Sequence, residues 1–311
     1  MKTRDVSVIV ITYNQDLKKL IQTLDSLLIQ EKIDFEIIIC DDGSKERNEY
    51  HLRNYFSLRN FSDYTLIIHD QNGGTVSNYY SGLKIAKGEY SKLISPGDCL
   101  TDKYTLFNWI CYLKRCKAKW SFSDAYYYHS DHGKVDCFRT LATPQIIRPY
   151  LEKNRIQCIW NYIALEDIAN GAAIIGETRT QLHFCKMIKD RGIKYSEDSI
   201  YRLMMFYGIV GCYFPEVAIF YEYGTGISSL GNPVWRERLA IDKKKMIQIL
   251  LEEKDKTKQQ KRMVVAMIRN SQPRKIKRLL TRGKLFYWIK WHFHPRYTPI
   301  PGEAIVLEEK R

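Results

Sequence analysis

Val6 to Ile11 is an unbroken apolar run closed by Thr12, Tyr13 and Asn14, which predicts a buried strand ending in a polar loop. Leu17, Leu20, Ile21, Leu24, Leu27 and Leu28 then recur at helical spacing, with Asn14 and Asp16 as candidate caps. Five apolar residues in the six from Phe35 to Cys40 predict a second, fully buried strand. It breaks abruptly into Asp41, Asp42, Gly43 and Ser44. Strand, helix and strand make a βαβ unit, and a right-handed crossover places the loops after Tyr13 and Asp41 side by side.

The alternation continues. A weakly periodic helix is expected within 45–58, a short strand at Leu66–Ile68, and a turn at Asn72–Gly74. Thr75 is placed to cap a helix over 76–86 that Gly88 ends, and a fourth strand runs from Tyr90 to Ile94 into Ser95–Asp98. Such β/α alternation over the first hundred residues argues for a parallel sheet covered on both faces. Further on, a helix is expected near 103–116 and an aromatic-rich strand from Trp120 to His129, turned back at Gly133 and Lys134. Residues 143–168 carry no legible period, and Asn170–Gly176 reads as a small-residue strand or loop. Helices are expected from Thr178 to Asp190, closed by Gly192, and after an N-cap at Ser196, ending at Gly208. Two strands, Ile209–Phe214 and Val217–Tyr223, are split by Pro215. Gly224 to Pro233 has the composition of a linker, so the domain boundary is placed there: 1–224 and 225–311.

Composition narrows the class. The chain has 311 residues, 45% hydrophobic and 27% charged, enough for one large domain with an appendage. Its eight cysteines are scattered without a CxxC pair, which excludes a zinc framework by spacing and fits a reducing cytosol. The N-terminal apolar run is too short for a signal peptide, and no uncharged stretch reaches membrane-spanning length. The net charge of +14 is concentrated: residues 1–232 hold 28 Lys/Arg against 27 Asp/Glu, whereas 233–311 hold 21 against 8. A near-neutral body thus precedes a basic tail.

The four loops after Tyr13, Cys40, His69 and Ile94 are expected along one sheet edge, presenting Thr12, Tyr13, Asp41, Asp42, Asn72, Gly73, Gly74 and Asp98. An aromatic for a base, carboxylates for N–H and hydroxyl groups, and a glycine turn for phosphate suit a nucleotide. Neither a G-x-G-x-x-G nor a Walker motif is present, which disfavours dinucleotide enzymes and P-loop kinases. Asp98 is placed to bind a hard divalent cation, Mn²⁺ or Mg²⁺. Each residue has a plainer reading beside this one. Tyr13 can pack at the sheet edge, Asp41, Asp42 and Asp98 can be turn acids, and Asp198 can belong to an ordinary capped helix start.

The residues 6–44 (VSVIVITYNQ to FEIIICDDGS), the NGG at 72–74, the GLKIAKGEY at 82–90 and the SPGD at 95–98 together resemble the inverting family 2 glycosyltransferases of the GT-A fold, bacterial polysaccharide type. The resemblance implies an α/β nucleotide-diphospho-sugar transferase fold, a mostly parallel Rossmann-like sheet with flanking helices, followed here by a basic, mainly helical C-terminal region. It implies that Tyr13 and Asp42 hold the base, most often uracil, that Asp98 bridges the metal and the diphosphate, and that Asp198 is the catalytic base. Thr12, Asp41, Gly73 and Gly74 complete the expected nucleotide-sugar site. The implied reaction is direct, metal-assisted displacement with inversion. It moves a hexosyl or N-acetylhexosaminyl group from a nucleotide sugar to a hydroxyl of a glycan or polyprenyl-diphosphate-linked acceptor. Two departures stand out. Gly97 occupies a position where the family commonly has a second acid, and Tyr79 and Tyr80 replace an Arg-Asn pair whose phosphate contact Lys84 is a candidate to supply. Those departures keep open a catalytically inactive scaffold of the same fold, and a nucleotidyltransferase is the third reading.

In the tail, Arg274–Leu280 and Leu285–Phe293 interleave cations with Trp, Tyr, Phe and Leu, as an interfacial helix does on an anionic membrane. The expectation is a cytoplasmic protein, peripheral on the inner face of the plasma membrane, with a helical bundle packed on the body as the alternative. No nucleic-acid module accompanies the charge, so nucleic acid is not expected as a partner.

Overall fold

The computed structural model of the chain describes residues 4–131, 134–140, 144–224 and 233–270. The N-terminal half is the expected alternation: β1 (Arg4–Thr12), α1 (Leu17–Leu28), β2 (Phe35–Asp41), α2 (Glu49–Leu58), β3 (Tyr64–Ile68), α3 (Thr75–Ile85) and β4 (Gly88–Ile94). These four strands are parallel and lie in the order β3-β2-β1-β4, so their carboxyl ends share one edge. Every residue of β2 is buried, as a central strand covered on both faces requires. Asp16 caps α1 by accepting from the Lys18 N–H, whereas Asn14 sits in the loop with a positive φ of 49°. Gly88 opens β4 rather than ending α3. A Cβ there would lie 2.3 Å from the Ser7 nitrogen, so its lack of a side chain serves strand contact.

Beyond β4 the chain runs through β5 (Cys99–Leu100), α4 (Thr105–Cys116), β6 (Trp120–Asp131), β7 (Lys134–Thr140), α5 (Arg148–Leu151) and α6 (Arg155–Ala164). A 3-10 turn (Gly171–Ala173) leads into β8 (Ile174–Glu177), α7 (Thr178–Asp190), α8 (Ser199–Phe206) and β9 (Cys212–Glu222). The sheet turns mixed here: β8 is antiparallel to β4 and β6, and β5 to β9, while β6 and β9 are parallel. The expected hairpin is formed by β6 and β7. Pro215 does not split β9 but sits in a register shift, where Ser123 pairs with Phe214 and Asp124 with Val217. α8 begins two residues later than a Ser196 cap would place it.

Two apolar cores flank the sheet, one under α1, α2 and α4, the other under α3, α6, α7 and α8. The second core also takes in α9 (Pro233–Glu252) and α10 (Lys258–Asn270) through Met246, Ile249, Leu250, Met263, Val264 and Met267. Burying such side chains contributes about 1.5–3 kcal/mol apiece, which binds these two helices to the body. No described helix is long and apolar enough to cross a membrane. The interfacial segment expected at Arg274–Phe293 lies outside the described residues.

Candidate functional site

At the carboxyl edge of β1, β2 and β4 the chain encloses a hollow of about 620 Å³, within the usual range for a small-molecule site. The same wall is completed by the loop before α8 and by one face of α9. Thr12, Tyr13, Asp42, Gly74, Asp98 and Asp198 all line it. Tyr13 is 40% exposed there, an aromatic ring left open at a concave rim rather than packed away.

Asp42 is buried, and its carboxylate accepts from the N–H of Gly73 (2.9 Å) and of Gly74 (2.9 Å). Burial raises its pKa against the pull of those two bonds. Gly73 therefore contributes through the backbone. Gly74 adopts φ +88°, and a Cβ there would fall 2.6 Å from the Lys194 carbonyl, so only glycine fits between this turn and the loop before α8. Asp41 is turned away from the hollow: its Oδ1 accepts from the Ser44 N–H at 2.7 Å and shapes the loop after β2. One acid of the pair makes the turn and the other faces the cavity.

Asp98 is 5% exposed. Its N–H donates to the Ser95 carbonyl (3.0 Å), and its Oδ1 accepts from the Glu222 N–H (3.0 Å). Burial pushes its carboxyl up to about 7, although the Lys92 ammonium and the bond from Glu222 act the other way. Lys92 is itself buried on β4, where desolvation draws it down to about 7; its ammonium donates to the carbonyls of Leu93 and Ala172. Gly97 is held in φ +99° with its N–H on Thr23 Oγ1 (2.9 Å) and its carbonyl accepting from the Tyr128 hydroxyl. A Cβ at Gly97 would lie 2.3 Å from Glu222 Oε2. The space an acid at 97 would need is thus occupied by the Glu222 carboxylate, which enters from β9 and pairs with Lys19 at 2.6 Å. Glu222 also lines the hollow, so two carboxylates stand at this end. Oxygen donors of this kind, with one face open to a ligand's phosphates and water, fit a hard divalent cation. Among the described residues no set of three or more His, Cys, Asp or Glu side chains is grouped for a metal.

Asp198 stands at the N-cap position of α8, yet its side chain makes no capping bond. It is half-buried on the hollow wall, with its Cβ 3.6 Å from the place a Cβ on Gly171 would take. Burial raises its pKa, and the Arg202 guanidinium one turn on pulls it back. Its neighbour Glu197 accepts from the Thr75 hydroxyl and is pushed up to about 7 by burial, with the Asp198 charge adding to the shift. Glu197 is therefore tied to the first turn of α3.

Further residues complete the wall. Arg202 and Lys243 bring cations to the hollow, bridged by Glu166 at 3.6 Å and 2.6 Å respectively. Trp235 reaches it from α9, edge-on to Tyr195 with ring centroids 5.2 Å apart. Arg202 sits four residues after Asp198, a spacing that could have flagged it; Glu222, Trp235 and Lys243 are placed by strand order and helix packing alone. Tyr79 is core, donating to Gln181 Oε1, and Lys84 is exposed on α3 away from the wall. His183 and Trp160 do not line the hollow either.

Residues 7–94 match the family model described as Glycosyl transferase family 2. No curated protein matches the chain in sequence. Among solved structures, S. aureus TarS 1-349 superposes with a TM-score of 0.57 at 16% identity, covering 92% of this chain and 77% of that one. Its complex with UDP gives a TM-score of 0.56 at 17% identity, covering 92% and 78%. The mannosyltransferase PcManGT from Pyrobaculum calidifontis, in complex with GDP-Man and Mn²⁺, gives 0.55 at 14% identity, covering 96% and 77%. The fold is that of the GT-A glycosyltransferases.

Proposed function

We propose that this chain, with its family 2 glycosyltransferase segment and GT-A fold, is an inverting glycosyltransferase. It would move a hexosyl or N-acetylhexosaminyl group from a nucleotide sugar, UDP-linked, to a hydroxyl of a glycan or polyprenyl-diphosphate-linked acceptor in cell-surface polysaccharide assembly. The observation that supports it above the others is that Asp42, Asp98 and Asp198, from three distant segments, line one hollow. TarS has been solved with UDP and with UDP-GlcNAc, and PcManGT with GDP-Man and Mn²⁺, which favours a nucleoside diphosphate sugar as donor.

In this reading Tyr13 stacks on the base, and Asp42, with the turn it holds at Gly73 and Gly74, receives the base and ribose. Asp98 would hold a divalent cation, Mn²⁺ or Mg²⁺, with Glu222 as the nearest second carboxylate. Such a cation, when bound, offsets the negative charge that grows on the departing diphosphate. Arg202 and Lys243 add positive charge to the same cavity. Asp198, ionised, takes the proton from the acceptor hydroxyl as it attacks the anomeric carbon, a role that contributes on the order of 10²–10⁴-fold. The Arg202 guanidinium and the N–H groups of Asp198 and Ser199 favour the ionised form that this task needs. One base and attack from the face opposite the leaving group give inversion. The basic residues 274–293 would hold the protein on the anionic inner face of the plasma membrane.

The test is release of UDP, GDP or dTDP from a panel of nucleotide sugars with Mn²⁺. Turnover that Asp98→Ala and Asp198→Asn each abolish is expected. Binding of nucleotide with no turnover on any donor would favour the inactive scaffold, and pyrophosphate release from a nucleoside triphosphate would make the chain a nucleotidyltransferase.

A further inference from the structure

The loop that carries Glu197 and Asp198 is held from two sides, and one side belongs to the C-terminal helix. Toward the nucleotide turn, the Lys194 carbonyl accepts from the Val76 N–H at 3.0 Å, and the Thr75 hydroxyl donates to Glu197. Toward α9, both oxygens of Asp242 accept from the Lys194 N–H at 3.1 Å, and Oδ2 accepts from the Tyr195 N–H at 2.6 Å. Asp242 is 2% exposed. A carboxylate so deeply buried in the middle of a helix is costly to the fold unless its charge is met by well-placed donors. Here those donors are two successive amides of one loop. Asp242 lies on the same helix as Trp235, Leu239, Lys243 and Met246, the residues through which α9 lines the hollow.

We infer that Asp242 is a positioning residue for the transfer reaction: from outside the N-terminal sheet, α9 clamps the 194–198 loop and thereby sets where the Asp198 carboxylate stands. This rests on the function proposed above. A loop amide freed by losing Asp242 can still hydrogen-bond water, so the chain folds, but the carboxylate three residues on loses its fixed place. A misplacement near 1 Å is enough to slow a reaction by roughly 10²-fold. Because Asp242 does not itself line the hollow, donor binding is expected to change little. α9, beyond the linker-like segment, thereby takes a part in catalysis that its charge does not predict.

The full chain is tested as Asp242→Ala and Asp242→Asn, the second retaining one acceptor oxygen in the same shape. Gln260→Ala is the packing control, since Gln260 ties α10 to the Phe206 carbonyl at the far end of α8. Three readouts are taken: hydrogen–deuterium exchange at the Lys194 and Tyr195 amides, UDP affinity by calorimetry, and UDP release from UDP-N-acetylglucosamine with Mn²⁺. The expected result is faster exchange at those two amides and kcat lowered by about 10–100-fold. KM and UDP affinity should stay within about threefold, with Asp242→Asn milder than Asp242→Ala, and Gln260→Ala near wild type in all three readouts. Unchanged exchange and unchanged kcat in Asp242→Ala would overturn the inference, as would an equal loss of kcat in Gln260→Ala. If Asp242→Ala does not fold, Asp242→Asn decides on the same readouts. A wild-type chain with no turnover on any nucleotide sugar would sink the transferase reading, while the amide exchange would still report whether the clamp exists.

Discussion

Placing an acid just before Asp98 should damage this protein rather than improve it. In Gly97→Asp the new Cβ would start 2.3 Å from Glu222 Oε2 and 3.1 Å from its Cδ, so Glu222 must move. Moving it breaks the ion pair with Lys19, in which the Glu222 side chain is 3% exposed and that of Lys19 28%. Disrupting a buried pair costs about 3–5 kcal/mol, and the partial exposure of Lys19 argues for the lower end, about 3. The backbone adds its own penalty, since φ +99° is strained for any residue with a side chain, by about 1–3 kcal/mol. The total is about 4–6 kcal/mol, a large part of an ordinary folding free energy. In a Glu222→Ala background the steric conflict is gone and Lys19 has already lost its partner. Gly97→Asp should then destabilise by only the backbone share, about 1–3 kcal/mol. Urea denaturation of the four proteins of this cycle measures the difference directly. An equal penalty in both backgrounds, or one below about 1 kcal/mol in the otherwise unaltered chain, would refute the claim that Glu222 fills the place of the missing acid.

Asp198→Asn should lower kcat by about 10²–10⁴-fold with nucleotide affinity unchanged, read by donor turnover and calorimetry. Because burial raises the Asp198 pKa and Arg202 opposes that, Arg202→Met should move the acidic limb of the pH–rate profile to higher pH; a limb that stays put removes Arg202 from the account. Asp42→Asn turns an amide N–H₂ toward the Gly73 or Gly74 N–H, and leaving one buried donor unmet should cost about 1–3 kcal/mol with weaker UDP binding; undiminished affinity would mean that Asp42 does not shape the base site. Burial lifts both Asp98 and Glu197 to about 7, so without divalent cations the folded chain holds protons that the unfolded chain releases near pH 4. Stability should therefore fall as pH rises from about 4 to 7, below the range in which the lowered Lys92 begins to act with the opposite sign, and Glu197→Gln should flatten that fall; melting temperatures that climb over this window would contradict the environments described.

Much of the fold could be read from the chain because its causes are local. The apolar runs of β1 and β2, the 3.6 period of α1 and the exact bounds of α7 from Thr178 to Asp190 report which face of each element is buried. Polar residues that interrupt such runs at strand ends mark Thr12, Tyr13, Asp42 and Asp98 as candidates by local pattern alone. Local signals could not separate Asp41 from Asp42, since both suit a turn. Only the hydrogen bonds to Ser44 on one side and to Gly73 and Gly74 on the other assign them different work. Likewise a Ser-Glu-Asp helix start reads as a cap, and it took the packing of the loop against Gly171 and α9 to turn Asp198 toward the hollow.

The chain alone, then, determined the alternating elements and the polar strand ends, because burial periodicity acts over a few residues. Tertiary structure alone decided that Glu222 stands beside Asp98 across 124 residues, that Arg202 and Lys243 face the same cavity, and that Asp242 holds the loop of Asp198. Those placements follow from the mixed pairing of β6, β8 and β9 and from the docking of α9 on the second core. Neither leaves a trace in local periodicity, since the free energy that fixes them comes from contacts between segments far apart in the chain.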